Sequence, residues 1–222
     1  GEGGAGAAGG SGGDAHVALT YQDLLASRVV ANLRAIGGEG GGDSFGTDAG
    51  PAGTASGTLS LTGNGEVEAN LDLFGGQGGG TRTDATAGSD VSAGNAYAAS
   101  LGGGPVSVNL EARGGEGGWR WPGDPGAAGG DAILVDAVDG ETTGNLTLRQ
   151  IAEAGDGAGS QGDPQRGAGG NAVSTLALDK SAALLDVTVE AVGGAGPGGD
   201  ATAEVSARNA TGDLRALAEA RA

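Results

Sequence analysis

Most active sites are built on histidine, lysine or cysteine, and this chain has almost none of them. His16 is the only histidine and Lys180 the only lysine in 222 residues, and cysteine and methionine are absent. A nucleophilic relay needs a base beside a hydroxyl or thiol, and a zinc-type centre needs several imidazoles or thiolates. Neither set can be assembled from these residues. Carboxylates abound: Asp and Glu number 28 against 11 Lys and Arg, and the net charge is −17. Two carboxylates suffice for glycoside hydrolysis, yet nothing in the sequence sets one pair apart from the others. The expectation is a protein that is not an enzyme and requires no cofactor. The acidic balance disfavours nucleic acid and anionic membrane surfaces as partners. No apolar run approaches the ~18 residues needed to span a bilayer, so membrane insertion is not expected either.

Two constellations remain. Gly9-Gly10-Ser11-Gly12-Gly13-Asp14 and the run from Gly194 to Asp200 resemble the glycine–aspartate calcium repeat, although its nonapeptide period is missing. Asp14, Asp131, Asp200, Glu111, Glu153 and Glu190 are therefore weak calcium candidates. The competing reading makes Asp or Asn at a strand entrance the acceptor of a local backbone hydrogen bond in a turn. The second constellation is Trp119-Arg120-Trp121-Pro122. Both tryptophans lie in one glycine-rich tract. Trp119 and Trp121 suit a subunit contact or a sugar-stacking platform, or else they cover the apolar edge of a longer unit. Asn145-Leu146-Thr147 and Asn209-Ala210-Thr211 match the glycosylation sequon, a short and common motif.

The elements that position these groups form a repeat. Glycine supplies 52 residues, which by composition alone is the signature of disorder. The glycines are phased, however. GEGG recurs at residues 1–4, 38–41 and 115–118, and glycine tracts separate six units of about 40 residues, the last one shorter. The approximate units are 1–36, 37–74, 75–113, 114–155, 156–192 and 193–222, in one elongated domain. The chain enters and leaves near a unit boundary. Lacking methionine, it reads as a processed product or a segment of something longer.

Each unit begins with a glycine-rich tract, followed by an entry motif such as Gly130-Asp131-Ala132 or Gly170-Asn171-Ala172. A short alternating run, a turn and a second alternating run follow. Period-two alternation is the strand signature. Aligned from the glycine boundary, the second runs give an inner column of large aliphatics: Val29, Val67, Val106, Leu146, Leu185 and Leu214. Leu146 is taken with a one-step insertion, because the fourth unit is longer, and a smaller column reads Ala35, Leu73, Ala112, Ala154, Ala191 and Ala220. Size sorted by column is what in-register stacked coils require. An outer column reads Asn32, Asn70, Asn109, Ile151, Thr188 and Leu217, with an amide ladder at its start. The next outer column reads Arg34, Asp72, Glu111, Glu153, Glu190 and Glu219. It stacks five carboxylates at ~4.8 Å spacing, an unfavourable arrangement that counterions, divalent cations or twist would have to relieve.

The sequence thus predicts an all-β solenoid of about six coils, each with two short strands and a glycine tract. Stacked antiparallel hairpins are the alternative. The tracts read either as loose linkers or as an extended third wall with a three-residue helical period. GGxGG tracts alternating with strands begun by Gly129-Gly130-Asp131-Ala132 and Gly169-Gly170-Asn171-Ala172 resemble the glycine-rich repeat arrays of bacterial exported surface, matrix and adhesin-like proteins. That resemblance implies an extracellular or cell-surface protein. The expected function is structural: end-to-end self-assembly into a filament, sheath or matrix fibre. The alternative is an adhesin or stalk-type module that binds glycans or needs calcium.

Overall fold

The computed structural model describes residues 8–42, 48–120, 125–160 and 163–222. Among them all regular structure is β. The strands are β1 (Ala15–Asp23), β2 (Arg28–Ile36), β3 (Ala55–Gly63), β4 (Glu66–Phe74), β5 (Gly94–Ser100), β6 (Val106–Arg113), β7 (Ala132–Val135) and β8 (Val138–Glu141). The chain continues with β9 (Asn145–Glu153), β10 (Gly159–Ser160), β11 (Asp163–Arg166), β12 (Ala172–Lys180), β13 (Leu184–Val192), β14 (Ala201–Asn209) and β15 (Asp213–Arg221).

Strands β2, β4, β6, β9, β13 and β15 form one six-stranded sheet, parallel throughout. Opposite it stand a four-stranded sheet, β1-β3-β5-β8, and a three-stranded sheet, β14-β12-β7, also parallel. Parallel neighbours cannot be joined by a hairpin turn. The chain makes a circuit between one strand and its partner, so the molecule is a β-solenoid of stacked coils. This overturns the hairpin alternative. The two strands of a unit lie in different sheets because each has an apolar face that only an opposing layer can cover.

The core fills the space between the walls. Val67, Ala69, Leu71 and Leu73 of β4 are fully buried, as are Leu61 of β3 and Ala96 and Ala98 of β5. Burying one such leucine contributes about 1.5–3 kcal/mol. No aromatic ring is needed, because the coil is thin.

Register settles the columns. Val29, Val67, Val106, Leu146, Leu185 and Leu214 stack as the alternation predicts. The insertion placed in the fourth unit is not there. Leu110 pairs with Gln150, Glu111 with Ile151 and Ala112 with Ala152. The small column therefore takes Ala152 in place of Ala154, the asparagine column takes Arg149 in place of Ile151, and the acidic column takes Ile151 in place of Glu153. Ala152 and Ala154 fit the small column equally by size, so alternation alone cannot choose between them.

Gln150 interrupts the apolar face and is fully buried. Its role lies where the opposing wall divides. β7 pairs with β12, but after Asp136, held at φ 49°, the chain shifts and β8 pairs with β5. The shift turns the Ala137 N–H toward Gln150 in the core. Gln150 Oε1 accepts from Ala137 N at 2.9 Å, and Nε2 donates to Leu134 O at 3.2 Å and Thr175 O at 3.1 Å. Asp136 Oδ1 accepts from Ala177 N at 2.8 Å on the outer side.

The glycine tracts bond to one another through main-chain groups at three-residue intervals. Gly37 N donates to Phe74 O and Gly40 N to Gln77 O, each at 2.8 Å. Between these, Gly38 N donates to Gly13 O at 2.8 Å and Gly41 N to Gly10 O at 2.7 Å. A line of such bonds runs up the stack: Gly115 O accepts from Gly130 N, Gly130 O from Gly155 N, and Gly155 O from Gly170 N. The backbones approach so closely that a Cβ on Gly130 would collide with the Ser89 carbonyl, whereas one on Gly13 would meet nothing within 4 Å.

Two predictions follow from this geometry, both read by urea or thermal unfolding. Gly130→Ala should destabilise by about 1–3 kcal/mol through overpacking, and Gly13→Ala should stay within about 0.5 kcal/mol of the parent. Gln150→Leu, close in size and apolar, should cost about 1–3 kcal/mol because it leaves the Ala137 N–H unpaired in the core, while Thr175 O keeps its bond from Asp136 N.

Candidate functional site

Three of the calcium candidates sit at strand entrances, where each is tied to a neighbouring coil. Asp14 Oδ1 accepts from Thr54 N at 2.7 Å and from Thr54 Oγ1 at 2.9 Å. These bonds, the backbone one foremost, hold the Asp14 carboxyl below the usual carboxylate range. Higher in the stack a ladder forms. Asp90 Oδ1 accepts from Asp131 N at 2.8 Å, Asp131 Oδ1 from Asn171 N at 2.6 Å, and Asn171 Oδ1 from Asp200 N at 3.2 Å. The expected local turn bond is thus an inter-coil bond, made to the equivalent position about 40 residues away.

The glutamate candidates lie on the outer face of the six-stranded sheet, interleaved with arginines. Arg113 Nε reaches Glu111 at 2.7 Å and Glu153 at 2.8 Å. Glu190 takes Arg149 at 3.2 Å and Arg221 at 3.4 Å. Ile151 divides the acidic column, so Glu111 and Glu190 are not direct neighbours. Arginine, supplied from the flanking columns, relieves the repulsion that the sequence left to counterions. Asp72 is the exception. Burial, then the Glu111 charge, pushes its carboxyl up, against the pull of Arg34 and Arg113. Among the described residues no three His, Asp or Glu side chains converge as a metal site. The amide ladder is short: Asn70 Nδ2 donates to Asn32 Oδ1 at 2.8 Å, while Asn109 Oδ1 is buried without a partner.

Trp119 follows the glycine tract at 114–118 and is 36% exposed. Beside it is a cleft of about 350 Å³ whose lining includes Gln77, Glu116, Asp156 and Arg166. Trp121 lies outside the described residues, as does the first GEGG. A second cleft, of about 440 Å³, opens between the ends of β8 and β12 over Leu146, with Lys180 Nζ 2.5 Å from Asp139 Oδ1. His16 Nδ1 is 2.9 Å from Ser56 Oγ on an exposed face. Asn145 is exposed, while the Asn209 amide is engaged with Ala182 and Asp213.

Among the described residues, both ends of the stack present strand edges paired on one side only. β1 and β2 each pair on one side only, and so do β14 and β15. β15 is exposed along its whole length, with Leu217 52% exposed, and at the other end Val30 is 41% and Ile36 54% exposed. Val30, Ile36 and Leu217 belong to the outer face, where the interior positions beside them, Glu68, Phe74 and Thr188, are half-buried; the end strands are more exposed because each has a neighbour on one side only. The arginine interleaving and the carboxylate ladder were the features the sequence reading missed. The recurrence of Arg two residues from Glu, at Glu111/Arg113 and Glu219/Arg221, was the available signal for the first.

Comparison with protein-family models, curated proteins and solved structures finds no match for this chain.

The ladder predicts different outcomes for two substitutions at one position. Asp131→Asn should retain the bond to Asn171 N and unfold within about 0.5 kcal/mol of the parent. Asp131→Ala should lose about 1–2 kcal/mol in chemical denaturation, the worth of a charge-assisted bond.

Proposed function

We propose that this protein is a structural element that assembles end to end into a filament, sheath or matrix fibre. The observation that carries this reading is the pair of open solenoid ends. Unpaired strand edges template the pairing of further strands. A contact between the two different ends is heterologous and propagates without closing when its rotation is that of the stack. The six-stranded sheet supports a count of six coils. The three-residue bonding interval supports reading the glycine tracts as a third wall of extended helices in the manner of polyglycine II. The net charge of −17 would hold neighbouring fibres apart, with calcium acting as a bundling counterion. Placement outside the cell rests on the resemblance to exported glycine-rich arrays.

The cleft beside Trp119 favours a second reading, an adhesin or stalk module that stacks a sugar on the indole. The two are separable. Negative-stain microscopy of the purified chain should show uniform unbranched filaments whose number grows with concentration; monodisperse single particles at high concentration, with and without calcium, would remove the structural reading. Under the adhesin reading Trp119→Ala abolishes glycan retention, whereas filament growth is unchanged by it.

A further inference from the structure

Resting on that self-assembly reading, the observations carry a specific junction. We propose that copies join head to tail with no register offset, β15 of one copy pairing in parallel with β2 of the next and β14 with β1. Asp213 then faces Arg28, Glu219 faces Arg34, and the Asp200 carboxylate receives the Asp14 N–H.

The pairing rule is already written inside the chain. β2 pairs with β4 from first residue to first residue, Arg28 on Glu66, and β13 pairs with β15 likewise, Leu184 on Asp213. β2 and β15 are both nine residues long, as are β1 and β14. Extending the rule by one level places Leu214 on Val29 and Ala220 on Ala35, which continues the large and the small inner columns. A one-residue slip turns the apolar faces outward. A slip of two in one direction sets Arg215 against Arg28 and Arg221 against Arg34. A slip of two in the other direction sets Asp213 and Glu219 against Val30 and Ile36. Only the unshifted register makes both charge pairs.

The opposing wall points to the same register. In the ladder each level's carboxylate or amide oxygen accepts the N–H of the next level, from Asp90 to Asp131, Asn171 and Asp200. Asp200 is its upper end. Asp14 begins the lowest coil, and its own carboxylate already accepts from the level above, at Thr54. Setting Asp14 over Asp200 continues the ladder across the junction. A tail-to-tail pair, with two β15 edges running antiparallel, satisfies the charges of β15 with Asp213 facing Arg221. It leaves β1 and β2 open, however, and breaks the parallel sense that all three larger sheets share.

The chain has no cysteine, which makes disulfide trapping clean. Val30 and Arg215 are exposed and occupy the same outer column. The double variant Val30→Cys/Arg215→Cys, oxidised under assembly conditions, should give covalent dimers, trimers and higher species, because adjacent in-register strands hold Cα atoms ~4.8 Å apart, within disulfide reach. The offset variant Val30→Cys/Leu217→Cys should not. Independently, Glu219→Arg should raise the half-assembly concentration about threefold to tenfold, and adding Arg34→Glu should restore it. Filaments that crosslink through the offset pair, or not through Val30 and Arg215, overturn the register while leaving self-assembly intact. Efficient dimers from Leu217→Cys alone overturn it in favour of the tail-to-tail pair. Particles that stay monomeric overturn both the junction and the reading beneath it.

Discussion

Parallel pairing between equivalent residues places every side chain about 4.8 Å above its counterpart on the level below. Composition, charge and core shape all answer to that distance. In the outermost inner column large aliphatics stand over large aliphatics from Val29 to Leu214. A column of like charges is tolerable only with opposite charges wedged from the side, and Arg113, Arg149 and Arg221 are so wedged. Each exposed ion pair contributes only about 0–1 kcal/mol. Their importance is in removing a penalty repeated at every level.

The glycine tracts bond to one another through main-chain groups. Tracts that bond every third peptide to neighbours on several sides leave no room for a Cβ at positions such as Gly130. Ordering glycine costs more backbone entropy than ordering any other residue, and the dense main-chain bonding offsets that cost. The facing sheets enclose a core of valine, leucine and alanine, and the whole chain has only six aromatic residues. Where the pattern fails, at Asp136, one buried amide side chain restores the bonding that the shifted backbone loses.

The walls of the fold were legible in the sequence because alternation records which residues face inward, and stacking repeats that record level by level. Val67, Ala69, Leu71 and Leu73 announce a buried face without any structural knowledge. The fourth unit was read with an insertion because Ala152 and Ala154 satisfy the same column by size, and only hydrogen-bond register distinguishes them. Glycine tracts carry no side-chain phase, so their mutual bonding could not be read from residue type. The strand-entrance Asp and Asn were recognised as backbone acceptors, but not as acceptors from another coil. Sequence neighbours favour local explanations, and the true donor lies about 40 residues distant.

The backbone bonds of the ladder at the strand entrances use the oxygen that aspartate and asparagine have in common, and Asn171 Nδ2 adds a second donation to Asp131 Oδ1 at 3.3 Å. Asp90, Asp131, Asn171 and Asp200 therefore stand in one functional column while differing in charge. The architecture leaves the charge of each level free to vary at fixed backbone geometry. A stack built this way can have its isoelectric point, its repulsion from neighbouring stacks and its demand for counterions adjusted one level at a time, with the coil itself unchanged.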